Sequence, residues 1–272
     1  MTTSRFLSDA GEPRAFVIIS SARSGSNLLV SYLRQVSRAA CFGEIFRGEF
    51  PTKSGWHKLA RRLDLPASAA ALHREDLTVW WELVLAQGLR RRRWLGAKIF
   101  YYHREADPVW ARFEESDHRV LHLWRDATFD QYVSRLLAVA SGEWKADRSG
   151  GAGRTRATAG GEERTGAVAG GAEPRVTFDV DDYRRYRAEL RRGLLRTRER
   201  YGGSERYVEL EYRQLSDHTF METLLERLFG ERVSVEETLR RQRGRAKLDY
   251  VVNRSDAVPF VADSLSRGFE RE

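Results

Sequence analysis

The sequence predicts an α/β fold in which helices flank a parallel sheet, and three observations indicate it. Residues 15–20, AFVIIS, form a continuous apolar run of the kind found in strands buried on both faces. A turn of small polar residues follows, and after it Leu29, Leu33 and Val36 are spaced as on one face of a helix. Strand-like and helix-like segments then alternate along the chain, which is the pattern of α/β domains.

The remaining elements follow from hydrophobic periodicity and from turn residues. Helices are expected at about 28–38, 76–92, 130–140, 181–201 and 217–229. Strands are expected at 15–20, 96–101, 119–124 and 206–211, and a basic tail covers 240–250.

One segment near the middle of the chain is expected to lack structure. Residues 149–173 contain almost no large apolar side chain, so they cannot bury enough surface to offset the entropy of ordering. We therefore predict one domain over residues 1–272, interrupted by a flexible low-complexity insert at 146–175.

Composition excludes several classes of protein. A hydrophobic content of 41% excludes wholesale disorder, and a single cysteine, Cys41, excludes an intramolecular disulfide and a cysteine-rich zinc module. No apolar run approaches the roughly 18 residues of a membrane span, and no signal-peptide pattern opens the sequence. We therefore expect a soluble, cytoplasmic protein without a membrane span. The net charge is +8, but only five of the 47 basic residues are lysine, so the arginine bias reflects codon usage as readily as a polyanionic partner.

The turn at 21–27, SARSGSN, carries the strongest functional signal. Small residues let the backbone approach an anion closely, and the N–H groups at a helix N-terminus point toward it. Arg23 adds a fixed positive charge, while Ser24, Ser26 and Asn27 add donors and can cap the following helix. The P-loop ending Gly-Lys-Ser/Thr is absent, which disfavours an enzyme that uses a magnesium nucleotide. An ordinary strand-to-helix turn stays the alternative.

A second anion-binding pair follows the strand at 119–124. Arg125 stands at the carboxyl end of that strand, and Ser134 lies in the next predicted helix. Both can converge above the sheet edge where ligands bind in open α/β folds, although a solvated pair is the alternative. His103, His118 and His122 lack metal-ligand spacing, so we expect no metal site, and His122 is expected to be a hydrogen-bonded core residue.

Taken together, these motifs resemble the sulfotransferases that use 3′-phosphoadenosine 5′-phosphosulfate (PAPS). The similar branch is the bacterial carbohydrate branch of the trehalose and Nod-factor sulfotransferase type. The resemblance rests on the R-S-G-S loop after a strand, on strand-R-D followed by Q-Y-V-S, and on CFGEIF at 41–46, GAKIFYYH at 96–103 and YVELEYRQL at 207–215. It covers about residues 15–253 without the insert, and it implies a P-loop-like parallel sheet and a reaction without metal.

The resemblance also implies which residues bind the donor. The residues that match the family's 5′-phosphosulfate loop are Arg23, Ser24, Gly25, Ser26 and Asn27, and those that match its 3′-phosphate pair are Arg125 and Ser134. In the basic tail, Arg245 and Lys247 lie near the position where related enzymes cover the 3′-phosphate.

Two further residues concern the chemical step. Glu44, within GEIF, matches the glutamate proposed as general base toward the acceptor hydroxyl, and Arg23 would neutralise charge on the donor phosphate. The alternative for Glu44 is a surface ion pair with Arg47. Lys98 would either touch donor or acceptor or extend from its strand into solvent.

The implied function is transfer of a sulfuryl group from PAPS to a hydroxyl of a carbohydrate or glycolipid acceptor, without nucleic acid as a partner. Peripheral membrane contact and a homodimer stay open. Two alternatives also stay open. One is an ATP-dependent sugar or nucleotide kinase with a degenerate P-loop. The other is a non-catalytic polyanion-binding module that uses the arginines at 90–93 and 240–245.

Overall fold

A five-stranded parallel sheet of order β2-β3-β1-β4-β5 forms the centre of the computed structural model. The model describes residues 14–47, 54–90, 92–103, 107–115, 117–142, 174–237 and 246–266. The strands are β1 (Arg14–Ser20), β2 (Ala39–Cys41), β3 (Trp94–Phe100), β4 (Arg119–Trp124) and β5 (Tyr207–Glu211).

Helices cover both faces of this sheet. The described α-helices are α1 (Ser26–Leu33), α2 (Ser54–Leu63), α3 (Ala69–Glu75), α4 (Leu77–Leu89), α5 (Asp107–Glu115), α6 (Thr128–Ser141), α7 (Val180–Tyr201), α8 (His218–Phe229) and α9 (Arg254–Ala257). Short 3₁₀ helices cover Tyr212–Ser216, Lys247–Tyr250 and Val258–Phe260. The predicted fold class, a parallel sheet flanked by helices, is confirmed.

Strand β1 lies in the middle of the sheet because its side chains are apolar on both faces. Val17 and Ile19 pack into a core shared with α2, α3, α4 and α5. Phe16 and Ile18 point to the other face, into a core shared with α1 and α8. All four are fully buried. The alternation of side chains along a strand thus explains why a continuous apolar run marked the central strand.

A third core fixes the helix that follows β4. Residues of α6 and α7 pack with the segment near the C-terminus, and the rings of Tyr132 and Tyr183 lie 5.3 Å apart. Near the end of the chain, Ser264 Oγ donates to Asp126 Oδ1 at 2.6 Å, and Ser264 forms a bridge with Ala127. The loop between β4 and α6 is therefore held by the packing of α6 against α7 and by the contacts of Ser264.

The order of the strands places a crevice at the carboxyl end of β1. From β1 the chain passes to β2 and β3 on one side, and later to β4 and β5 on the other. In open α/β sheets this reversal leaves room for a ligand outside the strand ends. The loop between β1 and α1 lies at this point.

The sequence missed the short strand β2 and the helices α2, α3 and α5. The helix expected at 28–38 begins two residues earlier, at Ser26, and ends at Leu33. Of the insert predicted at 146–175, residues 146–173 lie outside the described residues. Among the helices that are described, none is long and apolar enough to cross a membrane.

Candidate active site

The loop between β1 and α1 has an unusual backbone. Gly25 has φ 92°, and Arg23, although not a glycine, has φ 63°. Left-handed φ values at residues other than glycine cost free energy and concentrate at functional sites. Ser24 turns inward, where its Oγ donates to the Ser21 carbonyl at 2.8 Å. The loop is therefore folded tightly under the first turn of α1.

Helix α1 begins without the side-chain cap that the sequence suggested. Its N-cap residue is Gly25, which makes no side-chain capping bond, and Ser26 and Asn27 lie inside the first turn. The expectation that Ser24, Ser26 or Asn27 caps this helix is therefore wrong. Ser24 bonds within the loop, and Ser26 and Asn27 bond to Lys98. A helix N-terminus without a side-chain cap is suited to an anion.

Three of the predicted site residues meet beside this loop, and we name Arg23, Arg125 and Ser134 the arginine cluster. Arg23 Nε donates to Ser134 Oγ at 3.0 Å, and Arg125 Nη1 donates to the Arg23 carbonyl at 3.5 Å. The residues are far apart in sequence, but the ends of neighbouring parallel strands bring them together. The structure thus joins the β1–α1 loop to the pair after β4.

Arg125 is fixed by contacts with its side chain on two sides. Its guanidinium lies 4.5 Å from the ring centre of Tyr212, and its Nη2 is 3.2 Å from Asp130 Oδ2. The side chain is only 10% exposed. Within the described ranges, its buried Nε has no hydrogen-bond partner. A buried donor without a partner is rare in native proteins and indicates a place for a ligand or an ordered water.

Gln131 is a site residue to which the sequence analysis gave no role. It belongs to the Q-Y-V-S segment and is 1% exposed. Its Nε2 donates to Ser21 Oγ at 2.6 Å and to the Ala22 carbonyl at 2.7 Å. Helix α6 is therefore bonded to the β1–α1 loop by Gln131 as well as by Ser134.

A second group of polar residues lies on the other side of α1, and we name Lys98, Glu44, Ser26 and Asn27 the lysine cluster. Lys98 Nζ lies 2.9 Å from Asn27 Oδ1, 3.2 Å from Glu44 Oε1 and 3.3 Å from Ser26 Oγ. The Lys98 side chain is 2% exposed, so it does not extend into solvent. The reading in which Lys98 extends into solvent is therefore wrong, and its contact with donor or acceptor stays a prediction.

The charge of Lys98 depends on Glu44. Burial is the main influence on the pKa of the Lys98 ammonium and lowers it below its ordinary value, because a dry environment disfavours charge. The Glu44 carboxylate opposes this effect, as does the weaker influence of Cys41, whereas Arg34 adds to it. A buried ion pair of this kind is costly to break by removing one partner.

The second oxygen of Glu44 faces a more open side. Glu44 Oε2 lies 3.4 Å from Arg47 Nη1 and 3.9 Å from His103 Nε2, and the Glu44 side chain is 26% exposed. The ion pair with Arg47 that the sequence offered as an alternative is therefore present, together with the buried contact to Lys98. One oxygen of Glu44 therefore contacts the buried Lys98, and the other contacts the more exposed Arg47.

The segment that carries Glu44 is held from two directions. Its backbone continues the pairing with β3, since Lys98 N donates to the Gly43 carbonyl at 3.2 Å. Across from it, His73 Nε2 lies 2.8 Å from the Ile45 carbonyl. Because that oxygen can only accept, the ring hydrogen of His73 resides on Nε2. His73 is 3% exposed, and burial lowers its pKa.

The remaining sequence predictions have different outcomes. Lys247 begins a 3₁₀ helix and lies 5.7 Å from the ring centre of Tyr250, so its role toward a 3′-phosphate stays a prediction, and Arg245 lies outside the described residues. His122 is fully buried and bonds to the hydroxyls of Tyr101 and Tyr207 at 2.6 and 2.5 Å, which confirms it as a core residue. In the part of the chain that is described, no three His, Cys, Asp or Glu side chains cluster as metal ligands.

Comparison with known proteins gives two similar solved structures. One is a sulfotransferase domain from the curacin biosynthetic pathway, with a TM-score of 0.49 and 16% identity over 94% of this chain and 88% of that domain. The other is a sulfotransferase domain from the Synechococcus PCC 7002 olefin synthase, with a TM-score of 0.47 and 13% identity over 97% of each chain. No curated protein sequence matches the chain.

The family model described as Stf0 sulphotransferase matches residues 15–164, a span that contains the β1–α1 loop, Glu44, Lys98 and the Arg125–Ser134 pair. The match covers more than half of the 272 residues. The chain therefore belongs to the Stf0 sulphotransferase family.

Proposed function

We propose that this sulfotransferase moves a sulfuryl group from PAPS to a hydroxyl of a carbohydrate or glycolipid, with Glu44 as general base. Membership of the sulphotransferase family supports the reaction class. The choice of donor and base rests on the residues of the two clusters, and the choice of acceptor rests on the resemblance to the carbohydrate branch of the sulfotransferases.

The observation that carries this proposal is the contact between the β1–α1 loop and the residues after β4. Arg23 Nε bonds to Ser134 Oγ, and Arg125 Nη1 bonds to the Arg23 carbonyl. One continuous patch thus presents two guanidinium groups beside a helix N-terminus, which suits a ligand with two phosphate groups. A ligand with a single phosphate would use only part of it.

The chemistry of this patch fits PAPS. The nucleotide has anionic groups at both its 3′ and 5′ positions, and guanidinium groups bind phosphate oxygens in a planar, bidentate manner. Among the described residues, the buried Arg125 Nε has no protein partner and can donate to such an oxygen. We propose that Arg125 and Ser134 hold the 3′-phosphate, and that the loop residues hold the 5′-phosphosulfate.

The reaction makes and breaks one bond to sulfur. PAPS supplies the sulfuryl group: the acceptor oxygen bonds to sulfur, the bond from sulfur to the 5′-phosphate oxygen breaks, and the electron pair stays on that phosphate. Arg23 and the first-turn N–H groups of α1 oppose this negative charge. Glu44 accepts the proton of the acceptor hydroxyl, which requires an approach of roughly 3 Å in the bound complex.

The oxygen of Glu44 that accepts this proton is Oε2. Its Oε1 is bonded to the buried Lys98, whereas Oε2 faces Arg47 and His103 on the open side. Tyr102, which is 55% exposed, adjoins this side of the site. An exposed aromatic ring next to a polar side chain is a common surface for a sugar ring. We therefore propose that the acceptor approaches between Tyr102 and Arg47.

A thermal-shift panel tests the proposal against the two alternatives. The ligands are adenosine 3′,5′-bisphosphate without metal, ATP with Mg²⁺, and RNA. A ligand that binds only the folded state raises the melting temperature, and at 100 times its Kd it adds about 2.7 kcal/mol of stability. We expect a shift with the bisphosphate. A shift with ATP and Mg²⁺ alone would indicate a kinase, and a salt-sensitive shift with RNA alone would indicate a polyanion-binding module.

A further inference from the structure

Lys98 has a complete set of partners inside the protein. An ammonium group has three hydrogens to donate, and Lys98 Nζ has three oxygen neighbours, on Asn27, Glu44 and Ser26. The ring of Phe100 lies beneath it, with the ring centre at 4.7 Å. Lys98 therefore takes a new partner only by exchanging one of these three oxygens.

Only one of these partners carries charge. The Glu44 carboxylate neutralises Lys98, whereas Ser26 and Asn27 offer neutral oxygens. A buried ammonium without a negative partner is strongly unfavourable. Protonation of Glu44 by an acceptor hydroxyl would remove that partner while Lys98 stays buried. In the structure as it stands, the Lys98 ion pair opposes the role of Glu44 as a base.

An anion bound near Lys98 would remove the opposition between its ion pair and the role of Glu44 as a base. Ser26 and Asn27 belong to the first turn of α1, which is where an anion at the β1–α1 loop would lie. Such an anion can replace Ser26 Oγ or Asn27 Oδ1 and so supply Lys98 with a second negative partner beside Glu44. Glu44 can then become neutral without leaving the buried ammonium uncompensated.

We propose that Lys98 is a positioning residue that couples donor binding to proton transfer. An anion bound at the β1–α1 loop neutralises the charge of Lys98 in place of Glu44, and Glu44 can then accept a proton. This inference rests on the proposed function. The proton passes from the acceptor hydroxyl to Glu44 Oε2, and Lys98 keeps its own three hydrogens throughout.

Other charged groups adjoin the pair and define the controls. Lys98 is also faced by Cys41 on β2 and by Arg34 after α1. Glu44 is faced by Arg47 on its own segment and by His103 and Tyr102 after β3. A change in protonation that involves the Lys98–Glu44 pair must disappear when either member is replaced. One that arises at His103 would persist in Lys98→Met, which leaves the contact between His103 and Glu44 in place.

The test is proton uptake on binding of adenosine 3′,5′-bisphosphate. Calorimetric titrations near pH 6, in buffers of different ionisation enthalpy, give the number of protons exchanged for wild type, Glu44→Gln, Lys98→Met and Lys98→Arg. Lys58→Met, at an exposed position on α2, is the control. The phosphate groups of the ligand also titrate near pH 6 and respond to the charge of the site, so wild type is also compared with the Glu44→Gln/Lys98→Met double variant, which has the same net charge.

The proposal predicts that wild type and Lys58→Met take up a fraction of one proton when the ligand binds. Glu44→Gln and Lys98→Met should lose this uptake. Lys98→Arg should recover part of it. Uptake that survives in Glu44→Gln would assign the proton to another group and overturn the proposal. Binding by wild type without uptake would also overturn it and leave the proposed function intact. Absence of binding by wild type would overturn the proposed function and this inference together. If Lys98→Met does not fold, wild type and Glu44→Gln decide the question.

Discussion

The arginine cluster and the lysine cluster lie on opposite sides of the α1 N-terminus, and they differ in how completely the protein satisfies them. Arg125 keeps a buried Nε without a hydrogen-bond partner in the described ranges, and its one carboxylate partner, Asp130, is 40% exposed. In the lysine cluster, Lys98 has an oxygen for each of its ammonium hydrogens and a carboxylate that is only 26% exposed.

This difference indicates two kinds of site. A buried donor that lacks a partner is ready for a ligand, so the arginine cluster gains contacts when an anion binds. In the lysine cluster each ammonium hydrogen of Lys98 already has an acceptor. A ligand can therefore bind Lys98 only by replacing one of its present partners. We therefore propose that the first cluster determines affinity for the donor and that the second determines whether the chemical step proceeds.

The largest expected effect separates the chemical step from binding. Glu44→Gln keeps the shape of the side chain but removes its basicity, so we expect turnover to fall by about 10²- to 10⁴-fold while the bisphosphate still binds. Initial rates of sulfuryl transfer from PAPS measure the loss, and Glu226→Gln, at an exposed position on α8, is the control. Unaltered turnover would remove Glu44 from the mechanism.

The next effect concerns affinity. Arg125→Met removes the guanidinium but keeps a side chain of similar length over Tyr212, so the affinity for adenosine 3′,5′-bisphosphate should fall by about 100-fold, because each charge-assisted hydrogen bond contributes about 1.5–3 kcal/mol. Calorimetry measures the dissociation constant. Arg184→Met, on α7 with a side chain that is 67% exposed, should bind like wild type. Equal affinities for the two variants would show that Arg125 does not contact the donor.

Substitution of Gly25 tests whether the Tyr212 ring, which packs against the Arg125 guanidinium, holds that side chain in place. Gly25 and Gly230 both have positive φ, 92° and 66°, but a Cβ on Gly25 would lie 2.5 Å from the Tyr212 ring, whereas a Cβ on Gly230 meets nothing within 4 Å. Gly230→Ala should lose about 1 kcal/mol of unfolding free energy from its backbone conformation alone. Gly25→Ala should lose about 1–3 kcal/mol more from overpacking, and it should also bind the bisphosphate more weakly, since Tyr212 supports Arg125.

Urea unfolding and calorimetry measure these two losses. If both alanine variants lose the same stability and keep the same affinity, Tyr212 does not transmit the change to Arg125.

The smallest effect concerns the hydroxyl that orients Arg23. Ser134→Ala removes the acceptor of the Arg23 Nε bond and one donor to the ligand, so bisphosphate affinity should fall by about tenfold, in keeping with about 1 kcal/mol for a hydrogen bond. Ser31→Ala is the control, because the Ser31 hydroxyl donates to the Leu28 carbonyl, within its own helix. An unchanged dissociation constant for Ser134→Ala would remove this residue from the donor site.

The arginine cluster was largely predictable from the sequence. Arg125 directly follows a run of strand-forming residues, Arg23 follows another after two residues, and parallel strands place their carboxyl ends at one edge of a sheet. Ser134 could be placed on the following helix by its spacing from Arg125. The chemistry of these side chains and their position after strands made the contact an expectation, because it depends on elements that are adjacent in the sheet, and the resemblance to sulfotransferases favoured it over a solvated pair.

The lysine cluster could not be assembled in this way. Lys98 meets Glu44 and Asn27 only because β3 pairs with β1 in the register that sets Lys98 beside Ile18, and because residues 42–45 continue along β3. Neither the register nor the strand β2, which has three residues, has a signal in hydrophobic periodicity. Gln131 and Tyr212 lie in the Q-Y-V-S and YVELEYRQL segments, but their contacts with the β1–α1 loop and with Arg125 join distant parts of the chain and could not be predicted from either segment alone.

A crystal structure of the protein with adenosine 3′,5′-bisphosphate tests the division between the two clusters most directly. The account predicts one phosphate group within hydrogen-bond distance of Arg125 and Ser134, and the other at the β1–α1 loop, close to Arg23 and to the Ser26 and Asn27 side of Lys98. A nucleotide bound away from the carboxyl edge of the sheet, or phosphates that contact neither Arg23 nor Arg125, would contradict it.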